Sequence, residues 1–130
     1  EATKSISNNL SANLVYEYNQ KDYEENSSVT SFVSWNTPDH RIKGGLNYTK
    51  GAFSLNANAR YHSEYDYESS FFSDTIESNT VIDAKASFAL PALKATLEIG
   101  GNNIGGDNYV SLPGSGLIGS VYYTGLRIDI

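Results

Sequence analysis

The sequence predicts an all-β fold, an antiparallel meander of about six strands with the character of a transmembrane β-barrel. Three observations predict it. Apolar and polar residues alternate with period two through six separate stretches. These stretches approach the ~9–11 residues of a tilted membrane strand, against ~5–6 in ordinary sheets. Their connections alternate strictly between short and long, like the periplasmic turns and external loops of outer-membrane barrels.

The first stretch, residues 10–19, puts Leu10, Ala12, Leu14, Tyr16 and Tyr18 on one face and Ser11, Asn13, Val15, Glu17 and Asn19 on the other. The second, 40–49, sets Ile42, Gly44, Leu46 and Tyr48 against Arg41, Lys43, Gly45 and Asn47. The third, 52–63, alternates most cleanly, with Phe53, Leu55, Ala57, Ala59 and Tyr61 opposed to Ser54, Asn56, Asn58, Arg60 and His62. The fourth, 78–90, sets Ile82, Ala84, Ala86 and Phe88 against Asp83, Lys85 and Ser87. The fifth, 93–102, sets Ala95, Leu97 and Ile99 against Lys94, Thr96 and Glu98. In the sixth, 120–130, Tyr122, Thr124, Leu126, Ile128 and Ile130 alternate with Tyr123, Gly125, Arg127 and Asp129. Residues 1–7 suit the tail of a further strand.

Lys50-Gly51 and Leu90-Pro91-Ala92 are the short links; 20–39, 64–77 and 103–119 are the long ones. Tyr16, Tyr18, Tyr48, Tyr61, Phe88 and Tyr122 fall on apolar faces near stretch ends. A tyrosine there buries its ring in lipid and keeps its hydroxyl among headgroups.

Composition narrows the classes. With 130 residues and a net charge of −6, the chain suits one domain and lacks the footprint of a nucleic-acid binder. Without Cys it has neither disulfides nor thiolate metal sites. Without a Met at position 1 it reads as processed, or as a piece of something longer. No apolar run reaches the ~18–20 residues of a membrane helix, but a barrel hides its apolar face in every second residue.

The same alternation suits a soluble sheet with a wet face and a core face; strand length and loop asymmetry favour lipid. Six strands do not close a barrel, since single-chain bacterial barrels use even numbers from about eight upward. An open edge in hydrocarbon leaves costly unpaired backbone groups. The chain is therefore expected to be the C-terminal part of a larger barrel, pairing with strands N-terminal to Glu1.

Several stretches together resemble TonB-dependent outer-membrane receptors. "TPDHR" (37–41) followed by "GGLNY", then "NARYHSEY", "VIDAKASFAL", "LEIGGNNIGGDNY" and "GSVYYTGLRIDI" fall in that family's order over roughly residues 36–130. The resemblance implies a plugged barrel of ~22 strands. It also implies uptake of a bulky scarce nutrient through the TonB system, in the bacterial outer membrane. The family's plug domain and TonB box have no counterpart in this sequence. Ile104-Gly105 stands where Leu-Phe is usual, and Ile130 where an aromatic is commoner. Tyr123, Gly125, Ile128 and Ile130 resemble the C-terminal signal recognised by the barrel-assembly machinery, for which strand addition supplies the physics. The bland reading of the same residues is a closing strand facing lipid.

No catalytic constellation, cofactor motif or metal set is legible. His40 and His62 lie on different strands without a third ligand, so solvated or satisfied histidines outweigh metal ligation. The acidic run 63–77, with Glu64, Asp66, Glu68, Asp74 and Glu77, lacks the spacing of a calcium loop and reads as a solvated loop. Phe71 and Phe72 at its tip, and Trp35 above the second stretch, are candidate external ligand contacts; for Trp35 interface anchoring outweighs stacking. The expected partners are outer-membrane lipid, the remaining barrel strands, the assembly machinery and the TonB system. Competing readings are a folding substrate held by that machinery, a small stand-alone adhesin-like barrel, and a soluble β-sandwich binding module. An enzyme is the least supported.

Overall fold

The computed structural model describes residues 2–20, 36–69, 71 and 73–128. The described residues are all-β, with one short 3₁₀ turn. The strands are β1 (Ala2–Ser7), β2 (Leu10–Tyr18), β3 (His40–Lys50), β4 (Phe53–His62), β5 (Tyr65–Glu68), β6 (Ser73–Ile76), β7 (Asn79–Leu90), β8 (Ala95–Asn102) and β9 (Val121–Ile128). Seven form one sheet in the order β1-β2-β3-β4-β7-β8-β9, and β5 and β6 pair separately. Every pairing is antiparallel.

Two expectations are corrected. The main sheet has seven strands rather than about six: residues 2–7 form a full strand, with a register shift between Ser5 and Ser7. The acidic link contributes the hairpin β5–β6 instead of an open loop, which brings the total to nine. The sheet is also open among the described residues, because β1 and β9 are its edges and do not pair. An odd number of antiparallel strands leaves β1 and β9 running in the same direction. The described strands therefore have no antiparallel way of sealing the sheet's own edges.

Register turns the sequence alternation into continuous rows. One face carries Leu10–Tyr48–Leu55–Ala86–Ile99–Thr124, Ala12–Leu46–Ala57–Ala84–Gly101–Tyr122, and Tyr16–Ile42–Tyr61. The other carries Ser11–Asn47–Asn56–Lys85–Gly100–Tyr123 and Glu17–Arg41–His62–Asn79. A slip of one residue would exchange the faces of a whole strand, and no interior pairing among β2, β3, β4, β7, β8 and β9 slips.

Among the described residues, the apolar face has no second layer. The substantial packing joins hydrogen-bonded neighbours, apart from the turn Pro91–Leu93 against β8. Buried hydrophobic residues are few among those described: Ile76, Val81 and Ala95. Leu46 keeps 48% of its surface and Ile99 62%, although both sit mid-strand in apolar rows. A contiguous exposed apolar surface of this extent marks a membrane or protein interface.

The turns have local causes. Gly51 adopts φ +58 between β3 and β4, where a left-handed residue reverses the chain and glycine pays no Cβ penalty. Pro91 starts the 3₁₀ turn, which ends on Lys94 in the left-handed region with its N–H donated to Pro91 O. Asn19 prolongs the β2–β3 ladder: its N–H donates to Asp39 O at 2.8 Å and its Nδ2 to Pro38 O at 3.1 Å.

Candidate functional site

The polar face is a charged wall whose groups pair across strands. Glu17 meets Lys43 at 3.4 Å and Arg41 at 3.9 Å, Arg60 meets Asp83 at 2.9 Å, and Lys85 meets Glu98 at 3.5 Å. Arg127 reaches Thr96 Oγ1 at 3.5 Å. Between these pairs runs a ladder of amides. Asn56 Nδ2 donates to Asn47 Oδ1, and Asn58 Nδ2 donates to Asn56 Oδ1 at 2.9 Å. Asn13 and Asn58 lean over Gly45, where a Cβ would collide with the Asn13 amide and crowd that of Asn58. These exposed pairs each contribute little stability. Together they make a wall suited to water.

The ends of the wall differ. Among the described residues, the long connections carry Asp39, Glu64, Asp66, Glu68, Asp74, Glu77 and Asp107, and no Lys or Arg. The opposite end carries Lys50 and Lys94 at its turns. At the long-loop end of the apolar face, Tyr16 and Tyr18 stack on His40, ring centroids 6.1 and 5.2 Å away, and Tyr16 Oη lies 2.9 Å from His40 Nδ1. At the other end Tyr48 and Phe53 meet at 6.2 Å. From the His40 row to the Lys50 row is ~34 Å along a strand, or ~24 Å if tilted by ~45°.

Asp83 and Asn103 tie the wall to the third long connection. One Asp83 oxygen accepts from Arg60 and the other from the Asn103 backbone N–H at 3.0 Å. Asn103 is 2% exposed and left-handed at φ 52. Its Nδ2 donates to Asp107 O at 3.1 Å, and its own carbonyl accepts Ser120 Oγ at 2.5 Å. Gly106 closes over Asn103, where a Cβ would strike the amide oxygen. Tyr109 and Ile118 exchange backbone hydrogen bonds at 3.0 and 2.8 Å, closing the connection on itself. Between residues 74–80 and 104–117 lies a cleft of about 760 Å³. This cleft and the Asn103 hub escaped sequence reasoning. The only signal was the Asn-Gly-rich "NNIGG", which tolerates left-handed backbone.

The residues singled out from the sequence are placed as follows. Tyr123 lies on the polar face against Gly100, where an added Cβ would stand 2.6 Å from the tyrosine ring and 2.8 Å from Ala84 O. Gly125 faces Glu98 with no atom within 4 Å of a Cβ position. Ile128 is on the apolar face opposite Ala95. Of the assembly-signal residues, Tyr123 and Gly125 thus face one side of β9 and Ile128 the other, and Ile130 lies outside the described residues. Phe71 is 92% exposed between β5 and β6, while Phe72 and Trp35 lie outside the described residues. His62 turns to Ser63 O at 3.1 Å and edge-on to Tyr65, away from His40. Among the described residues no three His, Cys, Asp or Glu side chains could share a metal ion.

The chain matches no protein-family model, no curated protein and no solved structure.

Proposed function

We propose that the chain is the C-terminal barrel segment of a TonB-dependent outer-membrane receptor, a transporter for a bulky scarce nutrient, and that β9 serves as its barrel-assembly recognition strand. The observation that carries this reading is the apolar face: rows of Leu, Ile, Ala and Tyr, continuous in register over the sheet and uncovered by any described element. A lipid surround would stabilise such a surface without a second protein layer.

Three further features support the reading. Aromatic residues at the two ends of the apolar face bracket a band close to the ~25 Å expected of a membrane barrel. The opposite face is polar and ion-paired, as a wet lumen requires. The two open edges run in the same direction, so an odd number of additional strands gives an even antiparallel barrel; a 22-stranded barrel would take roughly fifteen. The soluble-sandwich reading needs a second sheet over the apolar face, and a stand-alone seven-stranded barrel needs a parallel seam.

Two measurements test the proposal. The absence of Cys permits single-cysteine nitroxide labels at successive positions 54–61 of β4 in bilayers. Oxygen accessibility should peak at 55, 57 and 59, and a water-soluble relaxant should peak between them. Accessibility to water at every position would sink the membrane reading. The transporter reading requires further alternating stretches and a plug in the residues encoded upstream of Glu1; a different upstream domain would rule it out.

A further inference from the structure

We infer that the short-turn end of the sheet binds the phosphate headgroups of anionic phospholipids through Lys50 and Lys94; the inference rests on the barrel reading and names the lipid that meets this end. The described cations fall into two sets. Arg41, Lys43, Arg60 and Lys85 each meet a carboxylate on the polar wall, and Arg127 donates to Thr96 Oγ1 there. Lys4, Lys50 and Lys94 lie elsewhere, and among the described residues no carboxylate comes within ion-pair distance of them.

Register fixes where Lys50 stands. It pairs with Phe53, two residues beyond the pair Tyr48–Leu55, so it shares the apolar face and ends it. Phe53 stands opposite Phe88, and Phe88 opposite Leu97 in the strand that follows Lys94. The two lysines thus flank a strip of exposed Phe53, Phe88 and Leu97, three strand spacings or ~14 Å apart along the sheet. The turns beneath are tied together. Thr49 N–H donates to Asn9 O and Ala89 N–H to Ala52 O, each at 2.8 Å. Lys4 also shares the apolar face, opposite Ala12, but it lies on an edge strand in register with Leu46, away from these turns. It is not part of the site.

Charge selects the lipid. The described turns 7–9, 50–52 and 91–94 contain no Asp or Glu, whereas the long connections carry carboxylates and no Lys or Arg. An ammonium at the margin of a lipid face lays its stem along apolar surface and sends its head to the phosphate level. A zwitterionic headgroup meets it with a phosphate already balanced by its own cation. An anionic headgroup brings an unbalanced phosphate, and each lysine near such a surface favours it by the equivalent of ~1 kcal/mol. The Asn8 and Asn9 amides add donors for headgroup oxygens. An acidic protein would also answer the lysines. It would not answer the apolar strip between them, which continues without a break into the lipid face.

The test uses the full protein in phosphatidylcholine nanodiscs, with a bimane fluorophore on Ala92→Cys between the lysines or on Thr80→Cys at the long-loop end. Quenching is titrated with phosphatidylglycerol or phosphatidylcholine carrying a nitroxide high on the acyl chain. At position 92, phosphatidylglycerol should reach half-quenching at a mole fraction about fivefold lower or more, the equivalent of ~1 kcal/mol. At position 80 the two lipids should quench alike. Lys50→Gln with Lys94→Gln should bring the ratio at position 92 near one, and Lys50→Arg with Lys94→Arg should keep it. Salt of about 1 M should reduce the preference by screening. Unchanged quenching by phosphatidylcholine shows that the glutamine variant is still inserted. Equal quenching by both lipids at position 92, the same preference at position 80, or a preference that survives the glutamine pair overturns the inference and leaves the barrel reading standing. If neither lipid quenches at either position, the barrel reading fails and the inference falls with it.

Discussion

Arg60 and Asp83 form an ion pair of 2.9 Å without standing opposite each other: Arg60 is registered with Val81, and Asp83 with Asn58. The diagonal reach leaves the second Asp83 oxygen free to accept the Asn103 N–H. One carboxylate thus joins the wall of β4 and β7 to the corner where β8 turns into the third long connection.

The two bonds have different weights. Arg60 is more than half exposed and Asp83 about one-fifth, so the ion pair contributes at most ~1 kcal/mol. The Asn103 N–H belongs to a buried residue, and leaving it unsatisfied costs ~1–3 kcal/mol. Asp83→Ala should therefore speed hydrogen exchange at Asn103 and Ile104 far more than Arg60→Ala does. Equal effects of the two substitutions would assign the anchoring to the ion pair.

Gly100 and Gly125 face the same side of neighbouring strands, yet only Gly100 should respond to a methyl group. At Gly100 it meets the Tyr123 ring and the immovable Ala84 carbonyl; at Gly125 it meets nothing within 4 Å. Gly100→Ala should lower the urea midpoint by the equivalent of ~1–3 kcal/mol, the usual cost of overpacking. Gly125→Ala should leave the midpoint within ~0.5 kcal/mol. If Gly125→Ala still slows membrane assembly, that glycine is read during assembly rather than needed for packing.

The strands were legible because a wet face and an oily face impose period two, and β2, β3, β4, β7 and β8 obey it within two residues at each end. β1 was only glimpsed, since its shift at Ser5/Ser7 breaks the alternation and Lys4 falls opposite Ala12 in an apolar row. β5 and β6 were missed because each has four residues, too few to display a period, in an acid-rich run that reads as solvated loop. The cleft was invisible for a different reason. It depends on how two connections fold back, which Asn103 decides through tertiary hydrogen bonds rather than local pattern.

Two turn positions give a paired test of backbone strain. Lys94 has φ 46 and Gly51 φ +58, and nothing lies within 4 Å of a Cβ at Gly51. A non-glycine residue pays ~1–2 kcal/mol in the left-handed region. Lys94→Gly should raise the unfolding midpoint and Gly51→Ala should lower it, each by the equivalent of ~1 kcal/mol or less, since added glycine entropy offsets part of the gain. Equal midpoints for both variants and the parent would show that neither turn limits stability.

Leu46 and Asn47 are adjacent in β3 and face opposite sides of the sheet. Leu46 lies in a row with Ala12 and Ala57, and Asn47 in a row with Ser11 and Asn56. In a bilayer, an Arg near the midplane of the lipid face costs ~2–4 kcal/mol. In water, an Arg replacing a half-exposed Leu costs within ~0.5 kcal/mol. Asn47→Arg loses at most the hydrogen bond from Asn56, ~0.5–1.5 kcal/mol, and enters a wall already carrying Lys43 and Lys85. Reversible unfolding of the protein in bilayers should therefore rank Leu46→Arg below Asn47→Arg by ~1 kcal/mol or more. The reverse ranking would mean that water, rather than lipid, covers the Leu46 face.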